Sequence, residues 1–150
     1  MRFLGAFVIA VALSAAAAAG PLTTEELFNE FHLFGNWALD CKREAAPDNP
    51  HVTITMPSPG VIIEDHDLGT ENAVNRYSVL SAQKLSDTRL AVQVIFQPGR
   101  DNEERQKLVW AFGSGSRRTM FTQPEDGPVR VKDGVAVTYG VATPVLHKCE

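Results

Sequence analysis

The chain has 150 residues, with 14 Lys and Arg against 18 Asp and Glu, a formal charge of −4; that suits one ordinary domain and is too little for two. Hydrophobic residues make up 44% and charged residues 21%, which excludes a disordered chain, a collagen and a disulfide-dense miniprotein. The acidic balance gives no electrostatic reason to expect nucleic acid, whose binding relies on basic side chains neutralising phosphates.

The N-terminus reads Met1-Arg2, an apolar run over residues 3–13, then Ser14 and an alanine tract before Gly20-Pro21. A positive start, a short apolar stretch and an Ala-x-Ala site make a secretory signal. Residues 1–19 are therefore expected to be cleaved, and residues 20–150 to form a single domain in the periplasm or outside the cell. A membrane anchor is disfavoured, because half of the run is weakly apolar alanine and no basic flank follows. No membrane span is expected after cleavage.

Residues 22–34 carry the one helical pattern. Thr23 and Glu26 stand in the capping-box relation, and Leu22 and Leu27 at the positions of a hydrophobic staple. Leu27, Phe28, Phe31 and Phe34 form one apolar face, and Gly35 is a natural stop. Such a stripe is expected to cover a core.

After Gly35 the chain reads as short strands separated by turn chemistry. Trp37, Leu39 and Cys41 alternate with polar or small neighbours; residues 45–50 form a loop; Val52, Ile54 and Met56 alternate again up to Pro57-Ser58-Pro59-Gly60. Val61-Ile62-Ile63 is a short strand, followed by a polar stretch over residues 64–72. Tyr77, Val79 and Ser81 alternate, and residues 90–96 are almost continuously apolar, as in a well-buried strand. Residues 107–112 carry Trp110, Gly113-Ser114-Gly115-Ser116 breaks the chain, and residues 117–123 resume it. Val129 and Val131 face Val135 and Val137 across Asp133-Gly134, a hairpin signal. Residues 145–149 close the chain. Eight or nine evenly spaced strands without a second helix mean a mainly β fold, an antiparallel barrel or barrel-like sandwich of about eight strands.

Cys41 and Cys149 are the two cysteines, and an even count in an exported chain favours a disulfide. Metal ligation or a catalytic thiol lacks the Cys-x-x-Cys spacing or a placed partner. The bridge would pin the first strand to the last.

The block Gly35-Asn36-Trp37, following a short helix onto the first strand, resembles the lipocalin and wider calycin pattern. The resemblance implies an eight-stranded barrel with a cavity for a small apolar ligand. Gly35-x-Trp37-x-x-x-Cys41 is also similar to the start of invasion-associated-locus-B-type periplasmic proteins. A third likeness in shape is the bacterial inhibitor barrel that blocks secreted metalloproteases.

Catalysis has little support. Gly113-Ser114-Gly115-Ser116 is no Gly-x-Ser-x-Gly elbow and reads as a hairpin loop. His32, His51, His66 and His147 are far apart, though a barrel could bring His51 and His147 together; no metal or other cofactor is expected. Glu64-Asp65-His66-Asp67 fails the calcium-loop spacing and reads as a solvated loop. Arg117, Arg118, Arg130 and Lys132 could form an anion-binding or partner face, unless they protect a sheet edge or pair with Glu103, Glu104 or Asp126. Trp37, Tyr77, Trp110 and Phe112 are core aromatics by default and ligand-pocket walls as a second choice. The leading expectation is thus an exported, non-enzymatic carrier or sensor of a small apolar ligand. The alternative is a module with a filled core that binds an envelope protein partner, as an inhibitor or envelope-stress factor.

Overall fold

The computed structural model describes residues 20–150, and the expected signal, residues 1–19, lies outside the described residues. Helix α1 (Thr24–Glu30) starts where the sequence places it. The Glu26 N–H donates to Thr23 Oγ1 (3.2 Å) and the Thr23 N–H to Glu26 Oε2 (2.7 Å), which completes the capping box. Leu22, expected to staple onto the helix, is instead 47% exposed. The helix ends a turn early: Phe31 caps it, and His32 adopts φ 53°. That turn drops Leu33 into full burial and leads to Gly35, whose φ of 112° favours glycine.

The strands are β1 (Gly35–Ala38), β2 (His51–Ser58), β3 (Val61–Asp67), β4 (Asn75–Ser86), β5 (Arg89–Phe96), β6 (Glu104–Gly113), β7 (Ser116–Pro124), β8 (Val131–Lys132), β9 (Val135–Ala136), β10 (Val141–Ala142) and β11 (Val145–Lys148). Strands β1 to β7 form an antiparallel meander, and β11 inserts between β7 and β1. The ring is thereby closed as an eight-stranded antiparallel barrel, which leaves no open edge in the wall. Strands β8, β9 and β10 hang outside it as a flap on β7. Within the flap, Asp133 (φ 51°) and Gly134 (φ 74°) make the two-residue turn, with Lys132 opposite Val135. Among the described residues, no helix is long and apolar enough to cross a membrane.

The first and last barrel strands pair through Trp37 opposite Lys148. Just beyond that pair Cys41 and Cys149 are bridged, with Cα atoms 5.5 Å apart and a sequence separation of 108. The disulfide therefore staples the seam at which the barrel closes.

A further sequence expectation is overturned. Glu64-Asp65-His66-Asp67 is not a solvated loop but the second half of β3. Ile62, Glu64 and His66 share the inner face, while Asp65 points out and receives two 2.7 Å bonds from Arg76 on β4, directly opposite. Glu64 and Asp65 belong to the wall because one has a cross-barrel and the other a cross-strand partner, while Asp67 ends the strand by accepting from the Gly69 N–H (2.8 Å).

Helix α1 closes one end. Phe28 is fully buried, 6.0 Å edge-on to Trp110, and Phe31 lies 4.8 Å from Phe112. The Ala82 N–H on β4 donates to Thr24 Oγ1 (3.2 Å), fixing the helix to the rim. Trp37 donates its indole N–H to Leu33 O (2.9 Å), and Lys148 Nζ donates to the His32 and Phe34 carbonyls beneath it. Full burial of a side chain such as Phe28 or Leu33 contributes about 1.5–3 kcal/mol.

Candidate functional site

The end of the barrel away from the helix is not filled. A cavity of about 250 Å³ opens there, with Val52, Val94, Leu108 and Leu146 as its apolar walls. Its inner side chains continue the inward face of strands whose other halves pack under the helix. On β6, Trp110 and Leu108 point inward and Gln106 follows toward the mouth. A bulge between Val109 and Trp110 shifts the register against β7, so that Thr119 and then Thr122 both line the cavity.

The floor is charged. Glu64 and Arg117 are 5% and 4% exposed and lie across the barrel from one another. Arg117 donates both Nη groups to the Glu64 carboxylate, each at 3.0 Å. This is the fork geometry that a guanidinium and a carboxylate favour. His66, two residues along β3, is 2.5 Å from Glu64 Oε1 through Nε2. The Arg117 guanidinium also lies 4.7 Å from the Trp110 ring centre and 5.5 Å from that of Trp37, so both indoles help to hold it. No fully buried side-chain nitrogen or oxygen lacks a partner among the described residues. The charges are structural to the barrel and neutralise each other inside it.

These contacts set the protonation states. Burial pushes the Glu64 carboxyl up, but the Arg117 guanidinium and the His66 ring outweigh it and hold it down at about 2. Tyr77 stands opposite Glu64 in the β3–β4 register, between His66 (4.8 Å) and Phe96 (5.1 Å). Burial, reinforced by the Glu64 carboxylate, pushes its hydroxyl up to about 12, so it remains a hydrogen-bond donor at ordinary pH. That hydroxyl has no partner among the described residues and lines the cavity.

The mouth is framed by the flap. Arg118, next to Arg117 on β7 and at the cavity edge, donates Nε to Thr143 Oγ1 (3.1 Å) and Nη2 to the Gly134 carbonyl (2.5 Å). Thr143 in turn donates to Thr119 O (2.7 Å), so two side chains tie the flap to the wall. Val131, Thr143 and Pro144 bring the flap to the cavity edge. Arg130 makes a bidentate pair with Glu104 at 2.8 and 2.7 Å, half exposed on the rim.

Of the aromatic residues considered as pocket walls, Tyr77 and Trp110 line the cavity, while Trp37 and Phe112 pack at the helix end. The four basic residues do not form one face. Arg117 is inside, Arg118 holds the flap, Arg130 pairs with Glu104 as its acidic neighbours allowed, and Lys132 stays exposed. Arg117 turns to the floor and Arg118 to the flap, although both border the cavity. His51 turns Nε2 to the Arg43 carbonyl (2.9 Å), and His147 pairs along β11 with Ala38. Among the described residues, no three His, Cys, Asp or Glu side chains are grouped to hold a metal ion.

Sequence reasoning missed Glu64 and His66 as interior groups. The available signal was the period of two running on from Ile62. In comparisons with protein families, curated proteins and solved structures, nothing matches the chain.

Proposed function

We propose that the protein is a binding protein for a small, largely apolar ligand, seated in the barrel end opposite the helix and acting without catalysis. The observation that carries this reading is the cavity of about 250 Å³, walled by Val52, Val94, Leu108 and Leu146 and floored by Tyr77 and the Glu64–Arg117 pair. Apolar walls with a few placed polar groups are the usual make-up of a small-molecule site. The barrel and its N-terminal helix fit the lipocalin-like arrangement that Gly35-Asn36-Trp37 suggested. The Cys41–Cys149 bridge suits work in an oxidising compartment, the periplasm or outside the cell.

The test is native mass spectrometry of protein exported by its host and purified without refolding, compared with its denatured mass. Extra mass that leaves on denaturation supports the reading; a bare chain that also takes up none of a panel of small amphiphiles overturns it. A second reading is favoured by a different feature. Val137, Tyr139 and Val141 around the flap are 55%, 80% and 61% exposed, an apolar surface suited to a protein partner. Under that reading the contact is made by the flap, and replacing Tyr139 with Asp abolishes capture of the partner without touching the cavity.

A further inference from the structure

The chemistry of the cavity floor narrows the ligand class, and the narrowing rests on the binding reading above. We infer that the site selects a small neutral amphiphile with a hydroxyl or carbonyl head, and rejects carboxylates and amines of the same body. The cavity, at about 250 Å³, suits a small ligand rather than a large one.

The charge preference follows from the pairing. The cation on the floor, Arg117, has both Nη groups committed to Glu64 and its faces set against Trp110 and Trp37. The anion there, Glu64, has Oε1 shared between Arg117 and His66 and Oε2 bonded to Arg117. A carboxylate entering would find no free cation on the floor, and an ammonium no free carboxylate. Burying either charge unpaired is costly. Arg118 also borders the cavity, but its Nε and Nη2 are bonded to the Thr143 hydroxyl and the Gly134 carbonyl, which holds the guanidinium at the flap and away from the floor.

Neutral partners are available. The Tyr77 hydroxyl is a donor without a partner among the described residues, and Thr119 and Thr122 add hydroxyls around it. Gln106 donates its amide N–H to Glu104 (2.6 Å), which leaves its carbonyl to accept from a ligand hydroxyl. A head group that both donates and accepts, such as an alcohol, matches this set.

The experiment is isothermal titration of the full chain at pH 7 with 1-octanol, octanoate and octylamine, three probes that share one body. The expected result is octanol binding at least tenfold tighter than either charged probe, with Tyr77→Phe weakening octanol several-fold. In Glu64→Gln, which removes the charge holding Arg117, octanoate is expected to gain at least tenfold. Octanoate or octylamine binding as tightly as octanol to the unaltered chain overturns the inference while leaving the binding reading intact; loss of that octanoate binding in Arg118→Ala would locate the anion at the flap. An unchanged preference in folded Glu64→Gln also overturns it, and the probe series on the unaltered chain decides the matter if that variant does not fold. Binding of none of the three overturns the binding reading itself.

Discussion

The two ends of this barrel are built from the same strands and stabilised in different ways. Under the helix, Phe28, Leu33, Trp37 and Leu90 are almost fully buried and leave little space, so that end is held by apolar burial. At the mouth, β6 supplies Leu108 and Gln106 instead of Trp110 and Phe112, and a buried Glu64–Arg117 pair takes the place of a second plug. A buried ion pair repays its desolvation only when the geometry is good, and replacing such a pair with packed apolar side chains is often neutral or stabilising. The contrast places apolar packing chiefly at the helix end and, on the binding reading proposed above, recognition at the mouth.

Breaking either end should cost stability heavily, but only one should change binding. Arg117→Met strands the Glu64 carboxylate in the barrel and is expected to lose about 3–5 kcal/mol in urea unfolding. Adding Glu64→Leu should return most of that loss while abolishing discrimination among charged and neutral probes. Phe28→Ala removes a fully buried ring at the other end, with an expected loss of about 3–5 kcal/mol. Ligand affinity of that variant at low denaturant should remain that of the unaltered chain.

Reducing the Cys41–Cys149 bridge, or replacing both cysteines with Ser, frees a segment of 108 residues in sequence separation. A loss of about 2–5 kcal/mol is expected from unfolding with and without reductant. The effect falls on the β1–β11 seam common to both ends, so it should not separate them.

Acid should attack the mouth first. The folded Glu64 carboxyl sits at about 2, against an ordinary value of 4.5. Its contribution is therefore complete above pH 4.5 and disappears as pH falls through about 2, a loss of about 3 kcal/mol by proton linkage. Urea midpoints measured from pH 6 to pH 2 should fall over that window, and the Glu64→Leu, Arg117→Met double variant should show a flatter profile. The smallest effect is expected at the rim. Arg130→Ala breaks a half-exposed pair with Glu104 and should change stability by about 0–1 kcal/mol.

The helix end was readable from local pattern, and the charged floor of the mouth was not. The capping box at Thr23 and Glu26 and the apolar face from Leu27 are encoded within a few residues, and both appear in the fold; at the mouth, the Asp133-Gly134 turn of the flap was legible in the same local way. The cysteine pair was legible because two thiols behind an expected secretory signal have few other roles. Glu64 and Arg117 are 53 positions apart, and each alone looks like a surface charge. A local reading places such residues in a loop and on an outer face. Only closure of the barrel, with β7 carried round against the strand that ends the chain, brings the guanidinium over the carboxylate. Tyr77 and Trp110 were named as walls from residue type, but Trp37 and Phe112 have the same types and pack under the helix, so residue type alone does not separate plug from pocket.

The most direct test of the division between the ends is methyl NMR of the folded protein titrated with 1-octanol. Saturable shifts at Val52, Val94, Leu108 and Leu146, with Leu27, Leu33 and Leu90 unmoved, are expected if the mouth binds and the helix end is solidly packed. Shifts centred on the methyls under the helix, or none at any methyl, would contradict it.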